Sequence, residues 1–117
     1  MINTKPSRAV EKKWLDRVAA HGCVITGNSQ VQVHHCLGRE AKSNKYYIGR
    51  LFALPLEYDL HDIYGKSPFN VTNHRKAFVA KYGPECRLFE SMCCDLKEDG
   101  PLPFDGDVLA AILATRR

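Results

Sequence analysis

Two stretches of this chain hold residue types that could do chemistry together. Val31-Gln32-Val33-His34-His35-Cys36-Leu37 reads as a β-strand ending in two adjacent histidines. Leu54-Pro55-Leu56-Glu57-Tyr58-Asp59-Leu60-His61 reads as a proline-started helix carrying a third. Neutral imidazole is a good ligand for a divalent cation, and its unperturbed pKa of about 6.5 also makes it a base near working pH. A strand and a helix that bring imidazoles to one point would hold a metal ion and, beside it, a group able to take a proton from water. Hydrolysis of a phosphodiester needs that combination, together with positive charge near the phosphate.

One geometric condition applies. Neighbouring residues on a regular strand point to opposite faces, so His34 and His35 share a site only if the strand distorts or ends there. The loop that begins at Gly38 allows such an ending.

The elements that must position these residues follow from local pattern. A first helix is expected over 7–22, with Ser7 as N-cap, Gly22 as stop and Val10, Trp14 and Val18 as its apolar stripe. Its other face carries Arg8, Lys12, Lys13 and Arg17, either a solvated charged surface or a DNA-backbone contact. Cys23-Val24-Ile25-Thr26 and Gln30 to Leu37, separated by Gly27-Asn28-Ser29, read as a β-hairpin. From Gly38 to Arg50 the pattern dissolves into a loop in which Arg39, Lys42, Lys45 and Arg50 are positive and Tyr46 and Tyr47 are interleaved. Such a loop can follow a phosphate backbone and stack on a base, or be an ordinary solvated connection.

Pro55 then starts a helix from about Leu56 to Tyr64, ended by Gly65, with Leu56, Leu60 and Ile63 inward. Further helices are expected over about 72–82, capped by Asn70 or Thr72 and ended by Gly83-Pro84, over 85–96 and over 107–115. The layout is an α+β domain dominated by helix, with a short β-hairpin and flanking helices.

Size and charge set the limits. A chain of 117 residues, 44% of them hydrophobic, makes one domain with a single modest core. Lys+Arg 17 against Asp+Glu 13 gives +4 and a pI near 8.9, which suits a polyanionic partner without requiring one. No run of about 18 apolar residues is present, and Met1 to Pro6 contains no apolar leader, so a soluble cytoplasmic protein with no membrane partner is expected. The five cysteines (Cys23, Cys36, Cys86, Cys93, Cys94) are odd in number and read as buried thiols or metal ligands rather than a disulfide framework, with Cys36 beside the histidine pair either a ligand or a small buried side chain on the strand.

Cys23-x-x-Thr26, His34-His35-Cys36-Leu37-Gly38, Leu54-Pro55-Leu56-x-x-x-Leu60-His61 and Lys81-Tyr82-Gly83 together resemble the HNH (ββα-metal, His-Me finger) endonucleases. The resemblance is greatest to the phage-encoded Ref family, nucleases that act with the host RecA recombinase. It spans a core of about 23–83, leaving 7–22 and 84–117 as helical flanks of a single domain over 1–117. The resemblance implies that His34 is a metal ligand, that His35 is the general base that activates water, and that His61 is a second metal ligand. It implies divalent-metal-dependent cleavage of DNA, leaving a 5′-phosphate and a 3′-hydroxyl, in phage recombination or DNA processing within the host cytoplasm. The ion implied is magnesium or manganese for catalysis, with zinc a further candidate occupant. The implied partners are DNA and a RecA-type recombinase filament.

The departures matter as much. Where relatives carry a second knuckle cysteine and a cysteine before the ligand helix, this chain has Thr26 and Glu57, so a four-ligand structural zinc is not expected there. Arg50 stands where many relatives have a steadying Asn or Asp, and Gly65 where some have an extra histidine. His74 is then the first spare ligand candidate and Asp62 the next. Two other classes stay open: a catalytically inactive HNH-like module that binds DNA or a recombinase, and a zinc-stabilised interaction domain.

Overall fold

The computed structural model describes residues 5–117. The expectation that Met1 to Pro6 carries no apolar leader therefore lies largely outside the described residues. Among the described residues no helix is long and apolar enough to cross a membrane.

Helix α1 spans Arg8–His21. Ser7 Oγ accepts from Val10 N at its start, and Gly22, with φ 86°, takes the left-handed turn that ends it. Trp14 and Val18 are buried as the spacing predicts, but Val10 is 40% exposed, and the third residue on the inner face is Glu11. The reason is an ion pair: Glu11 faces Arg50 across the core edge at 3.4 Å. Trp14 adds a second tie, its indole N–H donating to Leu51 O at 2.9 Å.

The expected hairpin between 23–26 and 30–37 does not form. Residues 24–26 make a turn, and β1 (Gln32–His35) pairs antiparallel with β4 (Ala53–Leu56) instead. Gln32 stands opposite Leu56, Val33 opposite Pro55, His34 opposite Leu54 and His35 opposite Ala53. Pro55 is thus a strand residue rather than the first residue of a helix. Every residue of β4 is buried, so a continuous apolar run that could start a helix is used as a covered strand. The missing N–H of Pro55 costs the β1–β4 ladder no bond, because the backbone of this residue faces the flanking turn, where its carbonyl accepts from Val24 N at 3.1 Å.

The expected loop 38–50 is partly ordered. β2 (Lys42–Ser43) and β3 (Tyr46–Tyr47) pair around Asn44 and Lys45, both at positive φ, and a 3₁₀ turn over Gly49–Leu51 leads into β4. Helix α2 is a single turn, Tyr58–His61, rather than a helix reaching Tyr64. Leu56 and Leu60 face inward as expected, whereas Ile63, beyond the helix end, is 62% exposed.

Asn70 explains the early stop. Its side chain is fully buried, donating from Nδ2 to Asp59 O and Asp62 O and accepting at Oδ1 from Thr72 N and Asn73 N. It therefore caps a turn and clamps the exit of α2, and α3 (Arg75–Tyr82) begins only after it. Helices α4 (Glu85–Lys97) and α5 (Gly106–Ala114) match their expected spans within a residue. Phe89, Met92 and Leu96 of α4 meet Trp14, Phe52 and Ile112 in the core. The described residues thus form an α+β fold of five helices and two small two-stranded sheets.

Replacing Asn70 by Ala leaves Thr72 N and Asn73 N without their acceptor and takes one of two donors from Asp59 O and Asp62 O, which keep Ser67 N and Gly65 N. At 1–3 kcal/mol for an unsatisfied buried group, a loss of about 3 kcal/mol is expected. Urea unfolding measures it, and a loss below about 1 kcal/mol would show that water replaces the amide.

Candidate functional site

Strand β1 and helix α2 do bring two of the expected imidazoles together. The His34 and His61 rings lie with centroids 5.0 Å apart at 61°, a separation at which one ion can be reached by a nitrogen from each ring. The pairing follows from the fold. His34 sits on the second-to-last rung of the β1–β4 ladder, and the chain leaves β4 directly into the single turn that ends in His61.

Each ring is held on one side. His34 Nε2 is 2.6 Å from Glu85 Oε1 on α4, and His61 Nδ1 is 2.6 Å from Gln32 Oε1 on β1. Gln32 in turn donates from Nε2 to Asp62 Oδ2 at 2.9 Å. Glu85 is a buried carboxylate whose other oxygen receives Arg75 Nε at 3.0 Å and lies 3.8 Å from Arg117 Nε. Burial alone would raise its pKa, but the hydrogen bond from His34 and the charge of Arg75 reverse the balance and hold it below the ordinary glutamate value.

His35 is placed differently. β1 runs regularly through His35 and ends there, so Gln32, His34 and Cys36 share one side while His35 starts from the other and is exposed. Partial desolvation lowers its pKa first, followed by the positive charges of Arg50 and His34. The pKa of His61 is lowered by burial and then by His34, with His35 adding a smaller push. The three imidazoles therefore sense one another, and His35 and His61 are held neutral near pH 7, the state needed in a base and in a ligand.

The spare ligands expected from the sequence do not join them. Asp62 is engaged by Gln32 and by the backbone of Tyr64, and His74 is an exposed residue at the start of α3. Position 65 can hold no side chain at all, because a Cβ there would fall within 2.7 Å of Asn70 Nδ2, Asp59 O and Tyr58 O. Among the described residues, the group of three whose ligand atoms lie within 4.8 Å of one another is His34, Cys36 and Glu85. Burial pushes the Cys36 thiol well above its ordinary pKa, and the neighbouring Glu85 raises it further. Glu85 was missed in the sequence because α4 lies beyond every motif and a glutamate opening a helix looks like an ordinary first-turn acid.

The basic residues divide into two sets. Arg39, Lys42 and Lys45 are exposed around the β2–β3 hairpin, whereas Arg50 is half-buried against Glu11. Tyr47 is buried, its hydroxyl donating to Arg39 O and accepting from Arg50 N, so it supports the loop and is not a stacking surface. On α1, Arg17 is taken up by the carbonyls of Leu96, Gly100 and Pro101, and Lys12 pairs with Asp16. Four of the five cysteines are buried and all are free, as the odd count suggested.

Compared with known proteins, the chain matches no family model, no curated protein and no solved structure.

The lowered imidazole pKa values have a defined sign. Unfolding returns His35 and His61 to about 6.5, so the unfolded chain takes up protons first as pH falls. Their contribution is complete above about pH 6.5 and declines below it, through their lower folded values. The melting temperature should hold steady from pH 8 to 7 and fall toward pH 5, less steeply in His61→Gln. Equal slopes for the two proteins by circular dichroism would refute the assignment for His61.

Proposed function

We propose that this chain is a divalent-metal-dependent DNA endonuclease of the HNH class, a phage-type enzyme similar to the Ref nucleases that work with a RecA-type recombinase. The observation that carries the reading is the pair of imidazoles set edge to face with centroids 5.0 Å apart, one from a strand and one from the helical turn that follows its partner strand. The order β1, β4, α2 supports a ββα-metal core, with residues 36–52 as an excursion between the two strands.

The donor set fits a catalytic rather than a structural ion. Two imidazoles, His34 and His61, would hold it and leave the remaining positions to water and phosphate oxygens, which suits magnesium or manganese, while zinc favours the imidazoles themselves. When bound, such an ion supplies Lewis-acid stabilisation of the charge on the phosphate and on the leaving oxygen. His35, kept neutral, accepts the proton of the attacking water. A new P–O bond forms as the P–O3′ bond breaks, and the products are a 5′-phosphate and a 3′-hydroxyl. Arg39, Lys42 and Lys45 carry the DNA backbone, and Arg50, fixed by Glu11, adds positive charge near His35.

The decisive experiment is supercoiled-plasmid nicking with magnesium, manganese or zinc, with and without a recombinase filament on single-stranded DNA. Wild type should nick. His35→Ala should lose 10²–10⁴-fold in rate while remaining folded, the range for removal of a positioned base. Equal nicking by the two proteins would remove His35 from the mechanism.

One observation favours the inactive DNA-binding alternative: His35 leaves the ladder on the opposite side from His34. That reading wins if no metal supports nicking while DNA binding persists. In either case the salt dependence of DNA binding should weaken by about one unit of slope for each of Arg39, Lys42 and Lys45 replaced by Ala. An unchanged slope would move the DNA path to another face.

A further inference from the structure

Each of the two facing imidazoles has one ring nitrogen tied to an acceptor whose role is fixed by its own partners. On the first ring the acceptor is Glu85, whose side chain is 1% exposed. Its Oε2 receives Arg75 Nε at 3.0 Å and lies 3.8 Å from Arg117 Nε. A carboxylate held between two guanidiniums is ionised and can only accept, so the proton in the 2.6 Å contact with His34 belongs to Nε2.

On the second ring the acceptor is Gln32. Its Nε2 faces Asp62 Oδ2 at 2.9 Å, and a carboxylate must receive from the NH₂ end, which fixes the orientation of the amide. The amide oxygen therefore accepts from His61 Nδ1 at 2.6 Å.

We infer that Glu85 and Gln32 are positioning residues that lock the two imidazoles in opposite tautomers, Nε2–H in His34 and Nδ1–H in His61. His34 Nδ1 and His61 Nε2 are then the nitrogens offered to a divalent cation. The inference rests on the reading of His34 and His61 as the metal ligands. It adds α4 and α3 to the site, since Glu85 and the arginine that holds it lie on those helices.

The same network speaks against using His34, Cys36 and Glu85 themselves as a ligand triad. An ion there would need the proton of a thiol whose pKa is raised, would break the bond from His34 to Glu85, and would add positive charge beside Arg75 and Arg117. Glu85 already has its full set of partners; the open nitrogens lie on the far sides of the two rings.

The test reads the metal-free protein first. Long-range proton–nitrogen correlation spectra at about pH 7.5 should show His34 protonated on Nε2 and His61 on Nδ1. In Glu85→Gln the side-chain shape is kept, but the amide oxygen turns to the arginines and the NH₂ toward His34, so that ring should switch to Nδ1–H. In Gln32→Ala the His61 ring should become a tautomer mixture. Calorimetric titration with Mn²⁺ should show affinity reduced 10–100-fold in each variant, the range for loss of a group that orients a ligand.

Unchanged tautomers, unchanged Mn²⁺ affinity in both variants, or no Mn²⁺ binding by wild type would overturn the inference. So would a thiolate-to-metal charge-transfer band when Co²⁺ is added, which would place Cys36 on the ion. If Glu85→Gln does not fold, Gln32→Ala, which touches a half-buried side chain, carries the test alone. Tautomers and affinities that behave as stated, in a protein that never nicks DNA, support the positioning roles and bring down the nuclease reading instead.

Discussion

The buried carboxylate of Glu85 is the interaction on which the rest of the structure depends. Removing a carboxylate from water costs several kcal/mol even after relaxation, and only a full set of donors offsets it. Here the donors come from three places in the chain: His34 on β1, Arg75 on α3 and Arg117 beyond α5. The backbone repeats the linkage, with Glu85 N donating to Arg117 O and Arg117 Nε donating to Cys36 O. Strand, helices and the last residue are thus pinned to one point, and the imidazole that faces His61 is part of that pin. The geometry of the candidate site is therefore set by the core rather than by loops, which keeps His34 and its neighbour in place without a bound ligand.

Helices α1, α3, α4 and α5 were legible in the sequence because their signals are local, whereas the helix expected over 56–64 shrank to the single turn of α2. Ser7 and Gly22, Gly83-Pro84 and the stripe of Phe89, Met92 and Leu96 each act within a turn or two, and the observed helices follow them. The sheet was not legible, because strand pairing is a long-range choice. Gly27-Asn28-Ser29 looks like a hairpin turn, yet β1 pairs with β4, some twenty residues further on, where it meets a fully buried apolar strand. Pro55 shows the ambiguity in one residue: its fixed φ serves a first helical turn or a strand equally well, and only the burial of both neighbours decides for the strand.

The site divides along the same line. His34 and His61 could be found from residue type and from the strand and helix that carry them, and their rings meet. What holds those rings could not be found that way. Gln32 looks like a polar residue on a half-exposed strand, and Glu85 like a helix-opening acid; their roles exist only once β1, α2 and α4 are packed together. Tyr47 is the converse case. An aromatic within a basic loop suggests base stacking, but the closed loop places it in the core under Arg39 and Arg50. The proposed role of His35 also depends on packing, since its side of the strand is set by the ladder and its electrostatics by Arg50.

The central claim is that His34 and His61 together hold a divalent ion. Paramagnetic broadening of the imidazole signals as Mn²⁺ is added to the isotope-labelled protein tests it most directly. The account predicts that the His34 and His61 rings broaden first, with His35 next and His21 and His74 last. Broadening centred on another group, such as the exposed acids Asp95 and Asp99, or no selective broadening among the five histidines, would contradict it.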